Sequence, residues 1–371
     1  MRRVLATMHG MDIPYVRGPV ALQAHVGVPD GTVEEEYARG GFAGRYAHLY
    51  RAHAPVGWTR IDGPLRPRAY DTRGAAGATL LANDDCAIRF AVIDAPMAYL
   101  FRNADADEVV FVHEGKGRLE TDFGHLAYEP GDYLVIPRGT TQRFAPTTPT
   151  RALIVSCAGE VALPDRGLLG QHALFDPAVV RVPSPGEGTS LAPDAAGEYE
   201  LRIQREGAIT RVFYPYAPLD VVGWKGTLTV WQLNVRDIRP VSSERYHLPP
   251  TAHATFVAPG VVIATFAPRP LETGDPRAQR VPFFHSNIDY DEVLFYHAGQ
   301  FFSRQGISAG MITFHPQGIH HGPQPGADAR AAQSTRTEEI AIMIDTRRPL
   351  RPSEAGEALE LPDYWKSWRQ P

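Results

Sequence analysis

Two stretches of this chain repeat one pattern, and the repeat limits the folds that the chain can adopt. Phe101–Gly115 aligns with His285–Gly299 without a gap, and Gly131–Gln142 aligns with Gly310–His321 in the same way. Each copy consists of short apolar and β-branched runs separated by Gly, Pro, Asn and Asp, which is typical of strands joined by tight turns. The chain therefore contains two copies of one β-rich unit.

Short strands follow one another from residue 78 onward, and their number and spacing favour a closed or sandwich-like β barrel for each copy. A length of 371 residues accommodates two such bodies. The predicted strands are Ala87–Val92, Met97–Phe101, Val109–His113, Arg118–Thr121, Leu126–Tyr128, Tyr133–Ile136, Ala152–Val155, Ala208–Tyr216, Ala254–Val257, Val261–Phe266, Pro282–His285, Val293–Tyr296, Met311–Phe314 and Ile340–Ile344.

The regions outside the repeats differ in composition from the strands. Gly31–His53 is charged, with aromatic residues at mixed spacing, and we expect a short helix there, in a loop-rich arm that lies over the body or reaches a neighbouring subunit. The tail is expected to form one helical turn bearing Trp365 and Trp368. The predicted organisation is an arm at residues 1–74, a first barrel at 75–160, a connector rich in Pro, Gly and Asp at 161–207, a second barrel at 208–350 and a tail at 351–371.

Charge and cysteine content argue against several classes of function. The formal charge is −5, and no basic run with interleaved aromatic residues is present, so we expect no nucleic-acid partner. No apolar stretch is long enough to cross a bilayer, and Met1–Gly18 lacks the apolar core of a signal peptide. Cys86 and Cys157 lie in apolar runs and are expected to be reduced and buried, with a bridge between them as the less favoured alternative. These features favour a cytoplasmic protein.

The two copies differ at the positions where a metal ion could bind. The second copy has His285, Glu292 and His321 near the ends of neighbouring predicted strands. The first copy has Phe and Gln at the positions of the two histidines and keeps only the carboxylate, as Glu108. Two imidazoles and one carboxylate can occupy one face of an octahedral ion, an arrangement used for non-haem Fe(II) and O₂ chemistry. We therefore predict a metal site in the second barrel and a scaffold role for the first.

Two motifs in the second copy resemble those of a known family. The pattern H-x-N-x4-E, followed by G-x5-P-x-G-x2-H, resembles the paired motifs of cupins. Most cupins have a second histidine where this chain has Asn287, and that departure, with the ending HGP at His321–Pro323, resembles homogentisate 1,2-dioxygenase. Further similarity lies in DVVGWKG, PFFHSN and TEEIAIMIDT, and the resemblance covers about residues 78–350.

The resemblance implies an all-β bicupin fold, with two cupin domains of the β-barrel or jelly-roll type. It also implies cleavage of a para-hydroquinone ring by O₂ at Fe(II), with a maleyl-type product. The ligand positions of the family carry over to His285, Glu292 and His321. The expected partners are a small aromatic substrate and O₂, and the family resemblance suggests a homo-oligomer, either a trimer or a hexamer.

Other family positions carry over with alternatives. The acid/base histidine of the family matches His247, with His253 as a rival. A histidine close to the ion matches His315, which is predicted to contact the substrate and is an alternative acceptor of the phenol proton. This chain has one more residue between Asn and Glu than family members tend to have, so Asp291 competes with Glu292 as the carboxylate ligand.

The substrate pocket is predicted to include Phe301, Tyr296 and Asn287. Phe301 stands where the family has a substrate-binding tyrosine, so a related substituted hydroquinone is an alternative substrate. Two other functions remain open at this point. One is a non-catalytic bicupin that binds or stores a ligand, and the other is a cupin isomerase or hydrolase that uses Mn(II) or Zn(II), because ligand type alone does not select the metal.

Overall fold

The computed structural model describes residues 16–21, 23–42, 44–184, 188–280, 282–301 and 303–369. Within these ranges the chain is almost entirely β-structure, with two short helices, α1 (Ala327–Ala331) and α2 (Glu354–Glu357). The strands are β1 Val33–Ala38, β2 Tyr46–Arg51, β3 Arg68–Asp71, β4 Ala78–Ala82, β5 Cys86–Ile93, β6 Leu100–Asn103, β7 Asp107–Glu114, β8 Gly117–Thr121, β9 Gly124–Tyr128, β10 Asp132–Ile136, β11 Thr141–Pro146, β12 Thr150–Cys157, β13 Tyr199–Arg205, β14 Ala208–Tyr214, β15 Trp231–Asn234, β16 Ala254–Ala258, β17 Val261–Phe266, β18 Phe284–Asn287, β19 Asp291–Ala298, β20 Met311–His315, β21 Ile340–Thr346 and β22 Arg351–Pro352.

Four sheets form two cupin units, which confirms the predicted all-β cupin-type fold. The first unit combines a sheet of order β15-β10-β7-β12-β5-β4-β22 with one of order β14-β13-β6-β11-β8-β9. The second unit combines a sheet of order β16-β17-β21-β19-β20-β3 with the small sheet β18-β1-β2. In the first unit, alternating apolar side chains of the long strands fill the space between the two sheets.

The internal repeat appears in the structure strand for strand. β6 and β7 of the first unit correspond residue for residue to β18 and β19 of the second, and β10 corresponds to β20. The backbone pairing repeats as well, because Gln142 pairs with Phe101 in one unit and His321 pairs with His285 in the other. The positions that differ between the copies therefore occupy equivalent places in the fold.

The arm is more regular than the sequence suggests. The segment in which a short helix is predicted forms instead a hairpin of β1 and β2, and β1 pairs in parallel with β18. The helix prediction is wrong because Glu34 and Glu36, on one face of β1, are buried against other polar groups. A polar buried face gives no apolar alternation, which is the usual signal of a strand.

The unit boundaries also differ from the prediction. β14 and β15, assigned from sequence to the second barrel, pair with β13 and β10 of the first unit. β13 itself lies in the predicted connector, and β3 of the arm extends the six-stranded sheet of the second unit through β20. Strands therefore cross between the units in both directions. β3, which precedes the first unit in the chain, joins the second unit, and β22, which follows the second unit, pairs with β4 of the first.

One continuous apolar core joins the two units. Phe111 of the first unit and Phe295 of the second lie 6.2 Å apart between ring centroids, within a core cluster that both units share. Cys86 and Cys157 are free and buried in this core, as predicted. The tail forms the predicted helical turn as a 3-10 helix at Tyr364–Trp368. None of the helices in the described ranges has the length and apolar character that crossing a bilayer requires.

Candidate active site

Three predicted metal ligands converge in the second unit. His285 lies in β18, Glu292 lies in β19, and His321 lies in the loop that follows β20. Reciprocal backbone hydrogen bonds of 2.9 Å join His285 and His321, so the loop is fixed against the strand. All three side chains are buried. Their potential ligand atoms lie within 4.8 Å of one another. Two groups of this kind occur among the described residues, and this is one of them.

The geometry of this group suits a metal ion. Glu292 Oε2 lies 3.6 Å from His285 Nε2 and 3.3 Å from His321 Nε2. Both Nε2 atoms are buried without a hydrogen-bond partner in the described part of the chain. His285 Nδ1 lies 2.9 Å from the carbonyl oxygen of Phe283, and by donating its proton there it leaves Nε2 free as a ligand. A cation bound by these three atoms would satisfy them all.

The electrostatics of the site favour an ionised Glu292 and a neutral His321. Burial opposes ionisation of Glu292, but the adjacent histidines outweigh it and hold the pKa of this carboxyl well below its usual range. Burial lowers the pKa of His321 to about 3. Asp345 is paired with Glu292 across β21 and β19, and burial beside that carboxylate raises the pKa of Asp345 well above its usual value. A single negative charge, that of Glu292, therefore faces the imidazole rings of His285 and His321.

His315 supports the ligand set from behind. Its Nδ1 lies 2.8 Å from Glu292 Oε1, and its Nε2 lies 3.1 Å from the hydroxyl of Tyr364. The first contact leaves Glu292 Oε2 facing the two histidines. Because both ring nitrogens are engaged inside the protein, we assign His315 a positioning role in place of the direct contact with substrate predicted from the sequence.

The competing carboxylate, Asp291, faces away from the ligand group. Its two oxygens accept hydrogen bonds from the backbone N–H groups of Gln317 and Leu350, at 2.8 and 2.6 Å. In the first unit Asp107 accepts equivalent bonds from the backbone of Arg138 and Val161. The repeat thus gives this aspartate a structural role in both units, and Glu292 is the carboxylate that faces the histidines.

A cavity opens above the ligand group and contains both candidate acid/base histidines. His247 Nδ1 lies 3.1 Å from Glu272 Oε1, and burial lowers the pKa of His247. His253 also lines the cavity, and burial lowers its pKa to about 3, but it has no carboxylate partner among the described residues. Nδ1 of both histidines lacks an aligned hydrogen bond in the described part of the chain, but the carboxylate of Glu272 beside the His247 ring favours His247 as the proton acceptor.

Of the three predicted pocket residues, one lines the cavity and two do not. Tyr296 lines the cavity, and its hydroxyl lies 3.1 Å from Thr313 Oγ1. Phe301 packs edge-on against Tyr296 at 4.8 Å and lies behind it, outside the cavity wall. Asn287 is buried in β18 and is likewise not part of that wall. Neither Phe301 nor Asn287 therefore lines the cavity as predicted. At Phe301 the reason is that the β19–β20 loop turns Ser303 and Arg304 toward the site instead. Phe302 lies outside the described residues.

Charged residues that the sequence did not single out also line the cavity. Arg304 is buried, donates from Nη1 to the carbonyl oxygen of Gly322 at 2.8 Å, and leaves Nε without a partner among the described residues. Arg269 Nη1 lies 3.4 Å from Glu272. Burial raises the pKa of Glu339 to about 7. No local motif marks these residues, because the fold brings them together from separate loops and a strand end.

Comparisons with known proteins identify sequence relatives over most of this chain. The family described as the N-terminal part of homogentisate 1,2-dioxygenase matches residues 72–235, a range that ends one residue after β15. A protein of Saccharolobus solfataricus, named as a candidate dioxygenase, is 32% identical over 363 residues, which cover 90% of this chain and 92% of that protein. Homogentisate 1,2-dioxygenase of Rhodopseudomonas palustris is 27% identical over 347 residues, covering 87% of this chain and 76% of that enzyme.

Among solved structures, the Escherichia coli protein Ylba is similar, with a TM-score of 0.38 and 8% identity over 79% of this chain and 96% of that one. A cupin 2 conserved barrel domain protein from Leptotrichia buccalis gives a TM-score of 0.32 and 8% identity over 74% and 90% of the two chains. The names of the sequence relatives support a dioxygenase, an oxidoreductase that acts on a small molecule with O₂. By its sequence relatives over nearly its whole length, the chain belongs to the homogentisate 1,2-dioxygenase family.

Proposed function

We propose that this protein is an Fe(II)-dependent ring-cleaving dioxygenase that acts on homogentisate or a related substituted para-hydroquinone. The observation that carries the proposal is the group His285, Glu292 and His321, whose unpartnered Nε2 atoms and carboxylate oxygen meet at one buried point below a cavity. Three protein ligands on one face leave positions for substrate and O₂. When bound there, Fe(II) would supply Lewis acidity and a path by which the electron-rich ring reduces O₂, and both oxygen atoms would enter the opened ring to give a maleyl-type dicarboxylate.

The protein's own groups would bind and orient the substrate. His247 is neutral because burial lowers its pKa, and Glu272 at 3.1 Å can hold the ring and stabilise the imidazolium that forms when it takes a phenol proton. His315 holds Glu292 in place through Oε1. Phe283 and Tyr296 give the cavity aromatic walls, which help to exclude water from the ring.

Arg304 supports an acidic substituent on the ring. This guanidinium is buried, lines the cavity and hydrogen-bonds to backbone carbonyl oxygens, with no ion pair to a carboxylate among the described residues. A buried cation is costly unless an anion approaches it, and a planar guanidinium suits a carboxylate. Arg269 already has Glu272 as its partner. The carboxylate of homogentisate, or of a gentisate-like acid, is the anion that we propose for Arg304.

The direct test is anaerobic reconstitution with Fe(II), followed by O₂ uptake with a panel of rings. The panel contains homogentisate, gentisate and a hydroquinone without a carboxylate, and Glu292→Gln is the control variant. We expect one O₂ consumed per ring with an acidic hydroquinone and none with the variant. Tight iron binding without O₂ uptake across the panel would defeat the proposal. Turnover of substrate with Mn(II) or Zn(II) and without O₂ would instead indicate an isomerase or hydrolase, and ligand binding without turnover a binding protein.

A further inference from the structure

A second cluster of imidazoles and carboxylates lies in the arm, outside the candidate active site. His25 precedes the hairpin, Glu34 and Glu36 share one face of β1, and His48 lies on β2 directly opposite Glu36. The exposed fractions of the four side chains are 4%, 0%, 10% and 15% in chain order. Such a group of ionisable side chains inside a small sheet requires compensation for the loss of water.

The donor atoms of this cluster are spaced as ligands of one ion. His25 Nε2 lies 3.2 Å from Glu36 Oε2, and His48 Nε2 lies 3.5 Å from the same oxygen. Imidazole and carboxylate ligands bind a divalent ion at about 2.0–2.2 Å, which puts neighbouring ligand atoms roughly 3.0–3.5 Å apart. The spacing matches that of the candidate active site, where the corresponding distances are 3.6 and 3.3 Å.

Glu34 orients both imidazoles from the opposite side. Its Oε2 lies 2.8 Å from His25 Nδ1, and its Oε1 lies 3.4 Å from His48 Nδ1. The hydroxyl of Tyr50 also donates to Glu34 Oε1 at 2.9 Å. A carboxylate that accepts the Nδ1 proton of a ligating histidine is the usual outer partner in metal sites. If both Nδ1 protons go to Glu34, both Nε2 lone pairs face Glu36 Oε2, and only a cation can satisfy all three atoms.

We propose that His25, Glu36 and His48 bind a second divalent transition-metal ion of the Zn²⁺ class, with Glu34 orienting the two imidazoles. The site is independent of the proposed dioxygenase activity. Glu36 is paired in register with His285 of β18, and Phe283 stacks on His25 at 3.9 Å while its ring lies 5.5 Å from that of His285. The ion therefore ties the arm hairpin to the strand that carries the first ligand of the candidate active site.

The competing arrangement has no ion and uses a protonated His25 as the bridge between Glu34 and Glu36. Metal content separates the two. The full-length protein is freed of metal with a chelator, dialysed against a small excess of Zn²⁺, and its bound zinc is measured by mass spectrometry. We expect two ions per chain in the wild type. His321→Gln is expected to retain the arm ion alone, and His48→Gln to lose it.

The matched control is His53→Gln, which changes an exposed histidine on the same arm and should retain both ions. Circular dichroism checks that each variant is folded. Co²⁺ provides a second readout, because visible absorption bands of a site with imidazole ligands should persist in His321→Gln. The proposal is overturned if the wild type binds a single ion and His321→Gln binds none. That result does not depend on whether His48→Gln folds, and it leaves the dioxygenase proposal intact.

Discussion

At the scale of single residues, the two cupin units differ in the groups that compensate the charge of one buried glutamate, Glu108 in the first unit and Glu292 in the second. In the first unit Arg89 lies 2.6 Å from Glu108, and Gln142 donates to the same carboxylate at 2.9 Å. In the second unit the strand register puts Ala264 where Arg89 stands, and Glu292 has no arginine partner among the described residues. An ionised buried carboxylate needs a compensating cation. The missing arginine is therefore a second argument, besides the two histidines, that the second unit holds an ion.

The acid/base assignment predicts unequal effects at two cavity histidines. General acid–base catalysis typically contributes about 10²–10⁴-fold to a rate. We expect His247→Asn to lower kcat by a factor in that range with little change in iron content. His253 has no carboxylate partner among the described residues, so His253→Asn should lower kcat by less than about tenfold. Steady-state O₂ uptake measures both, and a larger loss from His253→Asn would reverse the assignment.

The proposal that Arg304 binds the substrate carboxylate predicts a change in substrate preference when this arginine is replaced. A charge-assisted hydrogen bond contributes about 1.5–3 kcal/mol, which corresponds to roughly 10–100-fold in KM. Arg304→Gln should raise KM by that factor for an acidic hydroquinone, with a far smaller effect on an uncharged ring. Arg330→Gln, on α1 outside the cavity, is the control. Equal effects on both substrates would contradict a role in reading charge.

The sequence predicted part of this site, for identifiable reasons. His285, Glu292 and His321 stand out because the first copy lacks the two histidines, whereas only the structure shows that Asp291 and Asp107 accept equivalent backbone hydrogen bonds. Arg304 has no counterpart pattern in the sequence. Its position depends on how the β19–β20 loop folds, which local sequence does not determine.

At the scale of elements, the account depends on how β18 packs against the loop that carries His321. Gly322 lies at this contact, where a Cβ atom would meet Phe284 Cα at 2.9 Å and Cδ1 at 2.6 Å. Its carbonyl oxygen also accepts hydrogen bonds from Arg304 and from Trp368 Nε1 at 3.1 Å. The glycine of the HGP sequence is therefore explained by close packing between two ligand-bearing elements.

This packing predicts the effect of one added methyl group. Gly322→Ala should push the loop away from β18 and separate His321 from His285. Overpacking of this kind typically costs about 1–3 kcal/mol, and we expect iron affinity to fall by at least tenfold. Because φ is +157° at Gly322, backbone strain adds to the overpacking. Gly318→Ala, at φ +87° with no atom nearer than 3.9 Å, controls for that strain, and Gly223→Ala, with open space and an ordinary φ, controls for the added methyl group alone. Unchanged iron affinity in Gly322→Ala would show that the contact relaxes at no cost.

Most strands of the two repeats could be predicted, whereas the arm hairpin could not. In the repeat strands, apolar residues either alternate with polar ones or follow one another without a break, as in Val109–His113 and Met311–Phe314. β1 buries Glu34, Glu35 and Glu36 in succession, and their partners lie outside the strand. Arg51 lies on β2, and His320 is far away in the chain. A buried polar strand becomes recognisable only when the tertiary partners are known.

At the scale of the whole molecule, a histidine pair joins the two units. His113 and His297 occupy equivalent positions in the repeat, and their Nδ1 atoms lie 2.9 Å apart, so at least one ring must be neutral. Burial lowers the pKa of each to about 4, with Arg151 adding to the effect at His113. Glu114 lies 3.6 Å from His113 on its outer side.

The pair predicts how stability depends on pH. An unfolded histidine titrates near pH 6.5, so between about pH 6.5 and 4 the unfolded chain binds more protons than the folded one. The free energy of unfolding should therefore fall as the pH is lowered through this window. Urea unfolding at several pH values measures it, and His113→Leu should weaken the dependence while His172→Leu, at an exposed position, should not. An identical pH dependence in all three proteins would exclude the pair as its source.

The most direct test of the central claim follows the oxygen atoms. Protein reconstituted with Fe(II) is mixed with an acidic para-hydroquinone under isotopically labelled O₂, and the product is examined by mass spectrometry. We predict a ring-opened product that carries both atoms of one O₂ molecule, formed by the wild type and not by Glu292→Gln. A product with an intact ring, or one whose new oxygen comes from water, would contradict the account.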